Sequence, residues 1–152
     1  MSLSSRQPVI IALIVASAYF MENLDATVIA TALPHMAATF GVTSVSLSIG
    51  MTAYLLALAV FIPISGWVAD RFGQRSVFGG AIIVFTGASI LCGLSNGLVE
   101  FTIARILQGI GGAMMVPVGR LAVLRSTEKR HLMRSIAYIT WPGLAAPVLG
   151  PA

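Results

Sequence analysis

Long apolar runs with few charges follow one another along this chain, and they restrict the environments in which it can fold. A helix needs about 20 apolar residues to cross the hydrocarbon core of a bilayer. Five runs reach or approach that length, and they cover residues 9–33, 47–69, 77–94, 98–119 and 135–152. Only 9% of the residues are charged, whereas soluble domains carry about 25%. We therefore predict an all-α fold, a polytopic transmembrane helix bundle of four complete helices and most of a fifth, with residues 1–152 as one transmembrane domain.

The positions of the lysine and arginine residues predict how the helices are oriented. The chain has 9 such residues, and all but Arg105 lie before the first run, between the second and third, or between the fourth and fifth. The connections at 34–46 and 95–97 contain none. The positive-inside bias makes the cationic side cytoplasmic and places the N-terminus inside. The cations form no cluster with interleaved aromatic residues, so we predict no nucleic-acid partner.

Three ionisable residues, Glu22, Asp25 and Arg105, lie within the apolar runs. Ionisable groups at such depth cost at least about 2.5 kcal/mol each, which makes them functional candidates. Glu22 and Asp25 are three residues apart and share a helix face. Two carboxylates this close in a low-dielectric medium do not both ionise readily. A carboxyl group that holds or releases a proton suits proton coupling.

The run boundaries also predict the depths of these charges. Asp25 lies about 6 Å outward from the centre of the first helix, at 1.5 Å per residue, and Arg105 lies about 6 Å toward the outer end of the fourth. We therefore expect Asp25 and Arg105 to face each other or to share a polar cavity. Two interpretations remain open at this point: a static ion pair that lets both helices insert, and a site of proton coupling.

A short charged segment separates the second and third runs. Its marked residues are Gly66, Asp70, Arg71, Gly73 and Arg75. A connection this short, charged and glycine-marked is hard to explain as a mere connector. Elsewhere the chain shows neither a nucleophile–base pair nor a set of metal ligands. We therefore predict that it is not an enzyme and that it has no cofactor and no metal site.

These features resemble the N-terminal part of the major facilitator superfamily, and specifically its fourteen-helix drug:proton antiporter branch. The charged segment is similar to the loop motif of the superfamily, with Ser76 where a second cation is usual. Residues 24–34 resemble the helix 1 motif of the branch, with Ala30 in place of a common asparagine.

Two further motifs of the family occur in the family's order. The helix 4 motif is represented by Arg105, Gln108, Gly109 and Gly112. The beginning of the helix 5 antiporter motif is represented by Gly143, Pro147, Gly150 and Pro151, with Ala146 where glycine is frequent. The resemblance covers essentially the whole chain.

The resemblance implies the N-terminal segment of a proton-coupled exporter of small lipophilic or cationic compounds in the bacterial inner membrane. Its implied partners are the lipid bilayer, protons, the substrate and a C-terminal bundle that this sequence does not contain. Asp25, Glu22 and Arg105 would couple protons to transport, and Asp70, Arg71 and Arg75 would gate the cytoplasmic side. Alone, the segment is expected to be inactive, because alternating access needs two halves around a shared site.

Another class of function stays open from the sequence. The chain could be a stand-alone membrane protein that acts as an assembly or interaction partner. A related variant is a small dimeric exporter that uses a helix 1 glutamate. Glu22 fits that variant, whereas Arg105 and the charged segment do not.

Overall fold

Five helices make up the computed structural model, which describes residues 6–126 and 132–150. They are α1 (Gln7–Phe40), α2 (Ser44–Phe72), α3 (Gln74–Leu94), α4 (Leu98–Ser126) and α5 (Leu132–Leu149). The first four are long and apolar enough to cross a membrane. The prediction of an all-α polytopic bundle is confirmed, and the chain is a multi-pass membrane protein.

The first helix is longer than its apolar run. The prediction that it ends at Leu33, before Pro34, is wrong, because α1 continues through Pro34 to Phe40. Proline removes one helical hydrogen bond, but the helix continues because tertiary packing supplies most helical stability: Ala37 is buried in a core cluster against which Met36 and Phe40 pack. The helix ends instead at Gly41, whose φ of 66° is left-handed and whose N–H donates to the carbonyls of Ala37 and Ala38.

The connection between α2 and α3 is a single residue. The sequence predicts an interval of residues 70–76, but α2 runs to Phe72, α3 begins at Gln74, and only Gly73 lies between them. Gly73 has a φ of 87°, a conformation that glycine adopts without steric cost. The charged segment is therefore mostly helical: Asp70 lies in the last turn of α2 and Arg75 in the first turn of α3.

The fourth helix also passes its predicted end at Gly119 and continues to Ser126. Gly119 permits close packing, since an added Cβ would lie 2.9 Å from Phe78 and 3.0 Å from Val15. Arg125 in the last turn interacts favourably with the helix dipole. The last helix, α5, begins at Leu132, three residues before the predicted start.

The centre of the bundle is α4. Half of the residues in its most apolar stretch are buried in the bundle, against 22% in each of the other three candidate spans. Its glycines bring two neighbours close: an added Cβ at Gly109 would lie 2.7 Å from the carbonyl oxygen of Tyr54 in α2, and one at Gly111 would lie 2.8 Å from the main-chain nitrogen of Phe85 in α3. Small residues commonly permit this approach between membrane helices. The packing of α2 and α3 on α4, and of α1 on α4 and α5, positions the buried charges.

Candidate functional site

A buried ion pair joins the first and fourth helices. Nη1 of Arg105 lies 3.0 Å from Oδ2 of Asp25. The arginine side chain has no exposed surface, and the aspartate side chain is 12% exposed. The prediction that Asp25 and Arg105 face each other, made from their matching depths, is confirmed by this contact.

Neighbouring side chains from α2, α3 and α4 surround the pair. Nη1 of Arg105 also donates to Oε1 of Gln108, and Nη2 lies 3.6 Å from the sulfur of Met51. The guanidinium carbon lies 4.2 Å from the centre of the Tyr54 ring, within range for a cation–π interaction. These contacts replace part of the hydration that a buried guanidinium loses.

The second oxygen of Asp25 has a partner of its own. The hydroxyl of Ser89, in α3, donates to Oδ1 of Asp25 over 3.0 Å. Both carboxylate oxygens are therefore hydrogen-bonded, one by α4 and one by α3. Hydrogen bonds to an ionised group are shorter and stronger than those between neutral groups, so these contacts hold the Asp25 carboxylate between α3 and α4.

Glu22 lies on the same helix but in different surroundings. Its Oε1 accepts a hydrogen bond from the Tyr54 hydroxyl over 3.3 Å, while Oε2 is buried without a partner among the described residues. Gly112 leaves room for this carboxylate, since an added Cβ there would lie 3.1 Å from Oε1. A buried carboxylate oxygen with no donor can accept a proton or a cationic group.

The charged segment forms a second, exposed ion pair. Oδ1 of Asp70 lies 3.5 Å from Nη2 of Arg125, at the end of α4, and the two side chains are 65% and 60% exposed. Arg71 and Arg75 are exposed and pair with no acidic side chain in the described part of the chain. Gly66 faces open space, with no atom within 4 Å of an added Cβ.

The start of the helix 5 motif lies beside the helix that carries the acids. Gly143 and Pro147 are within α5, and Gly150 follows its last residue. An added Cβ at Gly150 would lie 2.8 Å from the side chain of Thr27, so α5 closely approaches α1 near Asp25. Pro151 lies outside the described residues.

Sequence reasoning missed several members of the site. A search for charges in apolar runs finds Asp25 and Arg105, but it passes over the neutral partners Tyr54, Ser89 and Met51. It also assigns Arg125 only to the cationic side of the membrane, without a partner. A usable signal exists for Tyr54 and Ser89, because polar atoms in hydrocarbon need partners. Among residues 6–126 and 132–150, no cluster of three or more His, Cys, Asp or Glu side chains could hold a metal ion.

Comparison with known proteins places this architecture in a family. A family model described as Major Facilitator Superfamily matches residues 15–152. Relatives from Salmonella typhimurium and Salmonella newport, both provisionally named multidrug resistance protein MdtD, are 45% identical over 139 residues. These matches cover 91% of this chain and 30% of the length of each relative. The superfamily resemblance inferred from the motifs is thus confirmed. Because that model matches residues 15–152 and four of the helices are long and apolar enough to span a membrane, the chain belongs to the Major Facilitator Superfamily.

Proposed function

We propose that this chain supplies the N-terminal helices of a proton-coupled exporter of small lipophilic or cationic compounds. The buried pair of Asp25 and Arg105 carries the proposal. The names of the relatives support multidrug substrates. A multi-pass transporter with these features would reside in the bacterial inner membrane and exchange protons for substrate.

In this proposal Asp25 is the group that carries the proton. When ionised, it pairs with Arg105 and accepts from Ser89. When protonated, it no longer neutralises the guanidinium, which is left with the neutral partners Gln108, Met51 and Tyr54. Because charge is costly in a low-dielectric interior, the two protonation states favour different arrangements of α1 and α4.

Glu22 is proposed to receive the cationic group of the substrate or a second proton. Its carboxylate has one hydrogen-bond donor, the hydroxyl of Tyr54, and one buried oxygen without a partner in the described part of the chain. A cation at that oxygen would compensate the buried negative charge. Gln108 and Gly109 are proposed to support the site from α4, and the helix 5 antiporter motif, represented by Gly143, Pro147, Gly150 and Pro151, is proposed to move against α1.

The exposed segment is proposed to act on the cytoplasmic side, where the positive-inside bias places it together with the N-terminus. There Asp70, Arg71 and Arg75 would stabilise one conformation against a second helical bundle. Gly66 and Gly73 would permit the close approach and the tight turn that this contact needs. Alternating access requires such a second half, so the helices described here are proposed to be inactive alone.

The test is efflux of a cationic dye by the complete coding sequence of the gene that contains this chain. Ethidium-loaded bacteria lacking their own efflux pumps would be energised, with and without a protonophore. We expect efflux that stops when the proton gradient collapses. Asp25→Asn keeps the size of the side chain but removes its charge, and it is expected to abolish most efflux at unchanged protein level.

Glu100→Gln provides the matched control, since Glu100 is an exposed acid at the start of α4. It is expected to keep the parent rate. Efflux by Asp25→Asn at the parent rate, or efflux that continues without a proton gradient, would rule out the proposed mechanism. A gene product that accumulates stably in the membrane without exporting dye would favour the interaction-partner alternative.

A further inference from the structure

Tyr54 of α2 contacts both acidic systems of the first helix. Its ring lies 4.2 Å from the guanidinium carbon of Arg105, which pairs with Asp25. Its hydroxyl lies 3.3 Å from Oε1 of Glu22. The Tyr54 side chain therefore contacts Arg105 through the face of its ring and Glu22 through its hydroxyl group.

The main chain of Tyr54 packs against α4. The residue is 6% exposed, and its carbonyl oxygen lies where α4 approaches most closely, 2.7 Å from an added Cβ at Gly109. Displacement of Arg105 on one side would therefore be taken up by tilting of the ring rather than by movement of the helix. A tilt of the ring moves the hydroxyl group that donates to Glu22.

The charges in this pocket come from several helices. The titratable and charged groups that face it are Tyr19, Glu22 and Asp25 from α1, Tyr54 from α2, Cys92 from α3, and Arg105 and Arg120 from α4. A proton on Asp25 and a cation beside Glu22 each add one positive charge to the same low-dielectric volume. Binding of the proton therefore disfavours binding of the cation, and the reverse. Exchange of a proton for a cation requires this opposition.

We infer that Tyr54 is a positioning residue that couples a cation-binding carboxylate, Glu22, to the Asp25–Arg105 ion pair. The inference rests on the proposed function and assigns the coupling to one residue. When a proton from water binds Asp25, Arg105 loses its anionic partner and rests on the Tyr54 ring and Gln108. The altered ring position weakens the hydrogen bond to Glu22 and with it the site for the cation. By reciprocity, a cation bound at Glu22 favours loss of the proton from Asp25 to water.

The test measures dye binding and proton release together on the purified complete gene product. Ethidium would be added in weakly buffered solution at a series of pH values, and its Kd and the protons released per bound dye recorded. In the parent protein we expect filling of the proton site to weaken the dye Kd by roughly 5- to 150-fold, the usual span for coupled sites.

Tyr54→Phe removes the hydroxyl group and keeps the ring against Arg105. We expect dye to bind, with the coupling factor reduced at least about threefold toward the uncoupled limit and with fewer protons released. Ser65→Ala is the matched control, since it deletes a buried hydroxyl group of the same helix, about three turns from Tyr54, that donates only to the carbonyl of Ile62. It is expected to keep the parent coupling, which a general loss of packing would not permit.

Coupling in Tyr54→Phe equal to that of the parent would overturn the inference while leaving the proposed function standing. Glu22→Ala supplies a second variant should Tyr54→Phe not fold: it removes the carboxylate that binds the cation and accepts from Tyr54, so we expect a weaker dye Kd that no longer depends on pH. Dye binding by Glu22→Ala with the full parent coupling would also overturn the inference. A parent protein that releases no protons on binding dye would overturn the proposed function, and this inference with it.

Discussion

Two ion pairs of the same chemistry lie in opposite environments of this molecule. Asp25 and Arg105 are separated by 3.0 Å, with 12% and 0% of their side chains exposed. Asp70 and Arg125 are separated by 3.5 Å, with 65% and 60% exposed. Both pairs join a carboxylate of one helix to a guanidinium of α4. The two pairs differ mainly in their surroundings, because one is buried and the other is in water.

Water and hydrocarbon give these pairs different energies. An exposed pair is worth about 0–1 kcal/mol, because water and salt screen it. Removing one partner of a buried pair costs about 3–5 kcal/mol, because the remaining charge is stranded. The buried pair therefore constrains which arrangements of α1 and α4 are possible. The exposed pair can open and close at little cost, which suits a contact that is made and broken in the proposed transport cycle.

The largest expected effect is the loss of one buried partner. Asp25→Ala leaves the fully buried Arg105 without an anion, and we expect a loss of about 3–5 kcal/mol in the free energy of unfolding. The measurement is denaturant-induced unfolding of the purified protein in detergent micelles. Replacing both partners, with Asp25→Leu and Arg105→Met, is expected to restore much of the loss. A single variant as stable as the parent would show that the pair does not stabilise the fold.

An intermediate effect is expected where α4 supports the buried region. Gly109→Ala places a methyl group 2.7 Å from the Tyr54 carbonyl and from Cβ of Ala57, and overpacking of this kind costs about 1–3 kcal/mol. Gly66→Ala, on the side of the exposed pair, meets no atom within 4 Å. It is expected to be neutral or to stabilise α2 by up to about 1 kcal/mol. Equal stability losses in both variants, measured in the same unfolding assay, would contradict the close approach at Gly109.

The smallest effect is expected at the exposed pair. Asp70→Asn should change the free energy of unfolding by no more than about 1 kcal/mol. Added salt should remove that difference, because the Debye length shortens to about 3 Å at 1 M. The difference between Asp25→Ala and the parent should persist at high salt, since buried charges are screened far less. Unfolding of both variants at low and high salt checks this, and a salt-sensitive loss in Asp25→Ala would place that pair in contact with water.

The sequence predicted the buried charges better than the ends of the helices. Asp25 and Arg105 could be matched because helical rise converts sequence position into depth. The helix ends were misjudged at Pro34 and Gly119, since residue preferences for stopping a helix are weaker than the tertiary packing of the residues that follow: Ala37 and Val123 are both buried in core clusters. Tyr54 and Ser89 escaped notice because their importance comes from the charges they contact.

The amino-acid sequence by itself determined that this chain is a bundle of membrane helices with an acid and a base at equal depth, because hydropathy and helical rise are local properties. It also carried the motifs that identify the superfamily. Only the tertiary structure decided that Ser89 donates to Asp25, that Asp70 pairs with Arg125, and that Tyr54 lies between Arg105 and Glu22. These contacts depend on the rotation and separation of neighbouring helices, which are set by side-chain packing around the glycines of α4.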